Sequence, residues 1–168
     1  MSEQLEPIEW SESYSFGLPD IDSEHKSLFA AIERLRTANT EDLGGDIEVN
    51  IAIDFLFNYI KEHFDAEEAL FIQTDYPLAE KHKRAHEYYK KAVATLKEKV
   101  LINRKEAVDD FIPIAVKWLS HHILEEDRGY VSYCKEKGVG LKSRSALDYP
   151  LPFNDILQLV CHKTKLSL

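Results

Sequence analysis

The chain has 168 residues, of which 44% are hydrophobic, enough for one domain with a real core, and its formal net charge of −9 makes nucleic acid and anionic membrane surfaces poor partners. No apolar run approaches the roughly eighteen to twenty residues that a membrane-spanning helix needs. Met1–Trp10 has neither a basic nor an apolar leader region, so a cytoplasmic protein is expected, with no membrane partner and no secretion.

Glycines and prolines fall mostly between periodic segments and divide the chain. An N-terminal arm occupies residues 1–19. A first helix, capped by Asp20, Asp22 or Ser23, is predicted to run to about Ala38, with His25 in phase with Leu28, Phe29 and Ile32. A second is predicted over about Asp46–Gln73, where Ile53, Leu56, Ile60, His63, Glu67 and Leu70 form an unbroken inward stripe.

A third is predicted from about Pro77 to Leu101, with Leu78, His82, His86, Tyr89, Val93 and Leu96 in similar phase. A fourth is predicted from about Asp109 to Lys137, with Phe111, Ala115, Trp118 and His122 on one face. Pro113 fits there if Asp109 or Asp110 caps the helix, because the first turn needs no donor from that nitrogen; otherwise it kinks the helix.

Four long helices with short connections predict an all-α fold, an up-down-up-down four-helix bundle over residues 20–137. No strand pattern or internal repeat competes. Residues 138–168 form a C-terminal extension in which Asn154 could cap a short helix bearing Ile156, Leu159 and Val160. The extension reads as docking on the bundle, or on a second subunit or protein partner, rather than as carrying chemistry. Cys134 and Cys161 make no CxxC pair and read as reduced thiols.

Polar residues on the apolar stripes carry the functional signal. Residues four apart in a helix lie about 40° apart around its axis, so His63/Glu67 and His82/His86 are paired claws pointing one way. With antiparallel neighbours, the His25, His63/Glu67, His82/His86 and His122 groups can meet at one level of the core. Taken singly, each histidine reads as an ordinary core or surface residue. Taken together, in phase with the core, they make metal binding the better reading, because burying that much polarity without a partner is costly. Imidazole and carboxylate without thiolate suit iron, manganese, zinc or copper, and the number of donors suits two ions rather than one.

The strings IDSEHKSLF, HFDAEE, AEKHKRAHEYY and WLSHHILEED, in that order, closely resemble the hemerythrin family over about Trp10 to Lys137, some three quarters of the chain. The resemblance implies a non-haem centre of two iron ions with an oxo or hydroxo bridge, which binds dioxygen reversibly for carriage, storage or sensing. It implies that His82, His86 and His122 hold one iron, that His25 and His63 hold the other, and that Glu67 and Asp127 bridge them. It places Leu28, Phe64, Trp118, Leu119 and Ile123 in or beside the oxygen pocket, where a plain core role is also consistent. Trp10 resembles the family's N-terminal tryptophan and reads as packing.

One implied ligand conflicts with regular helical geometry. His122 and Asp127 are five apart, about 140° around the axis, whereas His122 and Glu126 are four apart. Continuing the stripe regularly from His122 turns Glu126 and Gly129 inward, a poor core. One inserted residue turns Asp127, Tyr130, Val131 and Cys134 inward instead, so a π-bulge is expected between His122 and Asp127. His121 is expected at the surface or behind a ligand, and His162 is not expected to ligate. Glu24, Glu68, Glu125 and Glu126 read as a solvated face, from which any could orient a ligand imidazole.

The first functional expectation is a non-enzymatic oxygen binder. The alternative is a di-iron enzyme acting on dioxygen, peroxide or nitric oxide, or an iron or oxygen sensor signalling through a partner. The histidine-rich, apolar setting favours binding, since ferritin-like oxygen-activating proteins use carboxylate-rich sites with Glu-x-x-His spacing. Protonation of the five imidazoles, whose unperturbed pKa is about 6.5, is expected to release the iron below about pH 5.

Overall fold

A computed structural model describes residues 9–40, 45–139 and 141. Among these residues the chain is helical and contains no strand. A short 3-10 turn, Glu12–Tyr14, is followed by α1 (Pro19–Ala38), α2 (Gly45–Thr74), α3 (Ala79–His121), a π-helical turn (His122–Asp127) and α4 (Arg128–Glu136). Among the described residues no helix is long and apolar enough to cross a membrane. The short helix expected around Asn154, and Cys161 and His162, lie outside the described residues.

Helix α1 starts one residue before the earliest expected cap. Pro19 occupies the first turn, where its missing donor costs nothing, and Leu18 makes no side-chain cap. Asp22 lies inside the helix. Its carboxylate accepts from the backbone N–H of Phe16 at 2.8 Å and from the Ser15 hydroxyl at 2.6 Å, tying the arm to the helix. The arm packs by its aromatics. Trp10 lies edge-on to Phe29 with centroids 6.1 Å apart, and Tyr14 sits 4.9 Å from the same ring and donates to Ser120 Oγ at 3.1 Å.

Helix α2 buries Ile53, Leu56, Ile60, His63 and Glu67, but its next buried residue is Phe71 and not Leu70. The helix closes on Asp75 at φ 51, with Tyr76 N–H bonding back to Phe71 O at 3.0 Å. This six-to-one closure needs a left-handed residue, a role aspartate fills less often than glycine. The closure delays the start of α3 to Ala79, leaving Leu78 as an exposed cap rather than a core residue.

Inside Ala79–His121, Asn103 leaves the helical region at φ −146, ψ 93. The chain reverses there, because Tyr89 stacks on Trp118 with centroids 4.2 Å apart, whereas a continuous helix would hold them about 44 Å apart. Asn103 Oδ1 accepts from the N–H of Glu106 at 3.3 Å, and its Nδ2 donates to the Glu106 carboxylate at 2.8 Å. That reciprocal cap starts the second half of α3 at residue 104, five residues before the expected Asp109. Pro113 therefore lies inside the helix and not in its first turn. Buried Asn39, at the end of α1, donates to Lys105 O and Asp109 Oδ1, fixing the second half of α3 against the first helix.

Two apolar clusters make the core. The larger runs from Leu28, Ile32 and Leu35 through Leu56, Ile60 and Phe64 to Val108, Leu119 and Ile123. The smaller holds Phe71, Tyr76, Tyr130 and Cys134. Between them lies a layer of buried histidines and carboxylates: Phe64 of the first cluster stacks on His86 at 3.9 Å, and Phe71 of the second lies 4.6 Å from His82.

Candidate metal centre

Each element brings its polar residues inward by the phase of its apolar stripe, and the exception is resolved by the π-helical turn. Over His122–Asp127 the backbone accommodates one extra residue, so His122 and Asp127 face the same way. Tyr130, Val131 and Cys134 are buried beyond it, Gly129 is exposed and Glu126 is partly buried. This is the widening that the sequence required.

The seven residues singled out in the sequence are all buried. Glu67, His82, His86, His122 and Asp127 each present one donor atom to a common group whose members lie within 4.8 Å of one another. His122 Nε2 is 3.2 Å from Nε2 of both His82 and His86. Asp127 Oδ1 lies 3.0 Å from His82 Nε2 and 3.1 Å from His122 Nε2, and Glu67 Oε2 lies 3.2 Å from His86 Nε2. The remaining two histidines meet the same carboxylates. His25 Nε2 is 3.2 Å from Asp127 Oδ2, and His63 Nε2 is 3.9 Å from Glu67 Oε2.

Hydrogen bonding alone does not account for this arrangement. Three imidazole nitrogens converge, and His25 Nε2, Glu67 Oε2 and Asp127 Oδ2 are buried without a hydrogen-bond partner. Unsatisfied buried polar atoms are expensive. Neighbouring ligands of one octahedral ion, with bonds of about 2.1 Å, would stand about 3.0 Å apart, close to the observed separations. The donor set therefore fits a metal ion of the imidazole and carboxylate class.

Three carboxylates stand behind the histidines. His63 Nδ1 lies 2.5 Å from Glu24 Oε2, His86 Nδ1 lies 3.0 Å from Glu68 Oε1, and His122 Nδ1 lies 3.6 Å from Glu126 Oε2. A ring that donates from Nδ1 keeps Nε2 free as a lone-pair donor, so Glu24 and Glu68 set the tautomer that metal binding needs at His63 and His86, whereas His122 Nδ1 stands beyond hydrogen-bond reach of Glu126. In the linear chain the three read as a solvated face from which any could orient a ligand imidazole. Each adjoins a candidate ligand in sequence, but Glu24 and Glu68 serve a histidine on a different helix, and periodicity along one helix cannot show that. His121 is exposed, 3.7 Å from Glu126.

The charges reinforce one another. Burial opposes protonation of His63, yet Glu67, hydrogen-bonded Glu24 and Asp127 raise its pKa to about 9. His122 is likewise disfavoured by burial and raised to about 9 by Asp127, Glu126 and Glu67. Burial lowers His86 below the usual imidazole value. Burial alone would raise Asp127, but His122, His25 and His82 hold it well below the ordinary carboxylate range.

Leu28, Phe64, Leu119 and Ile123 are buried in the larger apolar cluster, and Phe64 stacks on His86. Trp118 is partly buried and stacks on His122 with centroids 4.2 Å apart.

Comparison with known proteins agrees with this site. Residues 17–134 match the family model described as the hemerythrin HHE cation binding domain. The chain is 28% identical over 126 residues to the bacteriohemerythrin of Stenotrophomonas maltophilia, covering 75% of this chain and 80% of that protein. It is 28% identical over 127 residues to the bacteriohemerythrin of Clostridium acetobutylicum, covering 73% and 97%. A hemerythrin-like protein of Naegleria gruberi is also 28% identical, over 124 residues, covering 74% and 91%.

Proposed function

This chain belongs to the hemerythrin family, and we propose that it binds dioxygen reversibly at a non-haem di-iron centre inside an up-down-up-down four-helix bundle. In this reading the break at Asn103 is the turn between the third and fourth helices, and the fourth runs on through the π-helical turn into α4. His82, His86 and His122 hold one iron, His25 and His63 hold the other, and Glu67 and Asp127 lie between the two groups. The observation that carries the reading is the convergence of the Glu67, His82, His86, His122 and Asp127 donor atoms, with His25 on the opposite oxygen of Asp127.

Two ferrous ions bound there would supply one electron each to dioxygen. The protein's own contribution is orientation and exclusion. Glu24 and Glu68 fix the rings of His63 and His86 from behind. Leu28, Phe64, Leu119 and Ile123 carry no acidic proton to give and would keep water from a gas-binding position beside them. Phe64 and Trp118, stacked on His86 and His122, restrict ring rotation.

The test is metal content measured together with the absorption spectrum of the anaerobically reduced protein, before and after oxygen. Two irons per chain and a new charge-transfer band that disappears on removing oxygen support the reading. Steady consumption of oxygen or peroxide with an electron donor would overturn it in favour of an enzyme.

A further inference from the structure

Of the seven clustered residues, Glu67 is the most accessible to solvent. It is 8% exposed, whereas the five histidines and Asp127 are each 2% or less. Its Oε2 has no hydrogen-bond partner, and the residue lines a cavity of about 280 Å³ between the start of α1 and the end of α2. At about 30 Å³ per water, that volume accommodates several solvent molecules.

The lining sorts by depth. Asp20 is half-buried, Glu24 and Glu67 are buried, and His63 is the deepest polar residue; no lysine or arginine is among the described lining residues. None of Leu28, Phe64, Trp118, Leu119 and Ile123 lines this cavity. The cavity wall is otherwise largely apolar, formed by Leu18, Pro19, Ile21, Ala66, Leu70 and Leu141, so Asp20, Glu24 and Glu67 are the anionic groups set into it. A hydrated cation does not cross an apolar wall unaided, because losing its water without replacement ligands is prohibitive. Carboxylates placed in succession replace that water stepwise and concentrate cations at the mouth.

We propose that this cavity is the route by which a divalent cation enters the folded chain, drawn in by Asp20 and Glu24 and received first by Glu67. The proposal rests on the metal-centre reading above and adds a kinetic role that the centre's equilibrium geometry does not require.

The test is the rate of Co2+ or anaerobic Fe2+ uptake by the metal-free full chain after rapid mixing, read alongside the final metal stoichiometry. Ala66→Trp, which fills the cavity, is expected to slow uptake about tenfold or more, since ions must then wait for local opening, while the final stoichiometry is unchanged. Asp20→Asn is expected to slow uptake several-fold and flatten its dependence on salt. Asp54→Asn removes the same charge from the surface outside the cavity and is expected to load at the wild-type rate. If Ala66→Trp does not fold, Ala69→Trp blocks the mouth from an exposed position and decides the matter. Wild-type uptake rates in both Asp20→Asn and the folded tryptophan variant would overturn the entry route. Failure of the wild-type chain to hold any metal at equilibrium would instead overturn the metal-centre reading, and the route with it.

Discussion

Nδ1 of His63 donates to the carboxylate of Glu24 across 2.5 Å, joining α2 to α1 through two buried side chains. The bond leaves Nε2 of the same ring facing Glu67. Removing the acceptor charge while keeping its shape should therefore loosen the metal without unfolding the chain. For Glu24→Gln the expected loss of metal affinity is about 10- to 100-fold. Competition against a chelator of known affinity, with circular dichroism as the control for folding, measures it.

The raised pKa values of His63 and His122, both about 9, set the pH dependence of loading. Metal binding needs both rings neutral, so apparent affinity should rise with pH until about 9 and then level off. At neutral pH, loading should release roughly two protons per chain. Titration calorimetry in buffers of different ionisation enthalpy counts them. For the metal-free chain the sign reverses. Both groups are raised on folding, so their stabilising contribution is complete below an unfolded value of about 6.5 and is lost as pH climbs through about 9. Thermal denaturation of the metal-free protein should show that decline.

Leu119 is 1% exposed, packs in the larger apolar cluster and lies three residues before His122. Leu119→Ala should cost about 2–5 kcal/mol of stability by cavity formation. Metal content should remain near wild type while oxidation of the oxygen-bound form to the inactive diferric form accelerates. Unchanged oxidation with full iron would remove Leu119 from the proposed pocket.

The π-helical turn makes a sharper prediction, because it amounts to one residue added to a regular helix. Deleting Glu125 should restore a regular ladder while keeping Asp127 and Tyr130 on the inward face, so metal stoichiometry should survive. Deleting exposed Lys117 rotates the two sides of the helix relative to one another by about 100°. That variant should lose its metal, and elemental analysis of the purified proteins distinguishes the two.

Much of the site was legible in the linear chain. The inward phase of His63, Glu67, His82 and His86 follows from helical periodicity, and the apolar residues after Asp127 required the extra residue found in His122–Asp127. The break at Asn103 falls between the expected third and fourth segments, but the fourth starts at residue 104 and not near Asp109, because Asn103 caps it through Glu106. Leu78 followed the stripe in sequence but not in space, because the closure at Asp75 ends α2 and resets the phase before α3, while Leu70 is only partly buried against the smaller cluster.

Local spacing alone determined that this chain is helical and that particular imidazoles and carboxylates share the buried face of each helix, because both properties depend only on angles along one axis. Which donor meets which could be decided only in three dimensions. The pairing of Glu24 with His63 and of His25 with Asp127, and the opening of a cavity beside Glu67, depend on how separate helices are set against one another. That setting is the collective outcome of packing across the whole core, and no local window of sequence contains it.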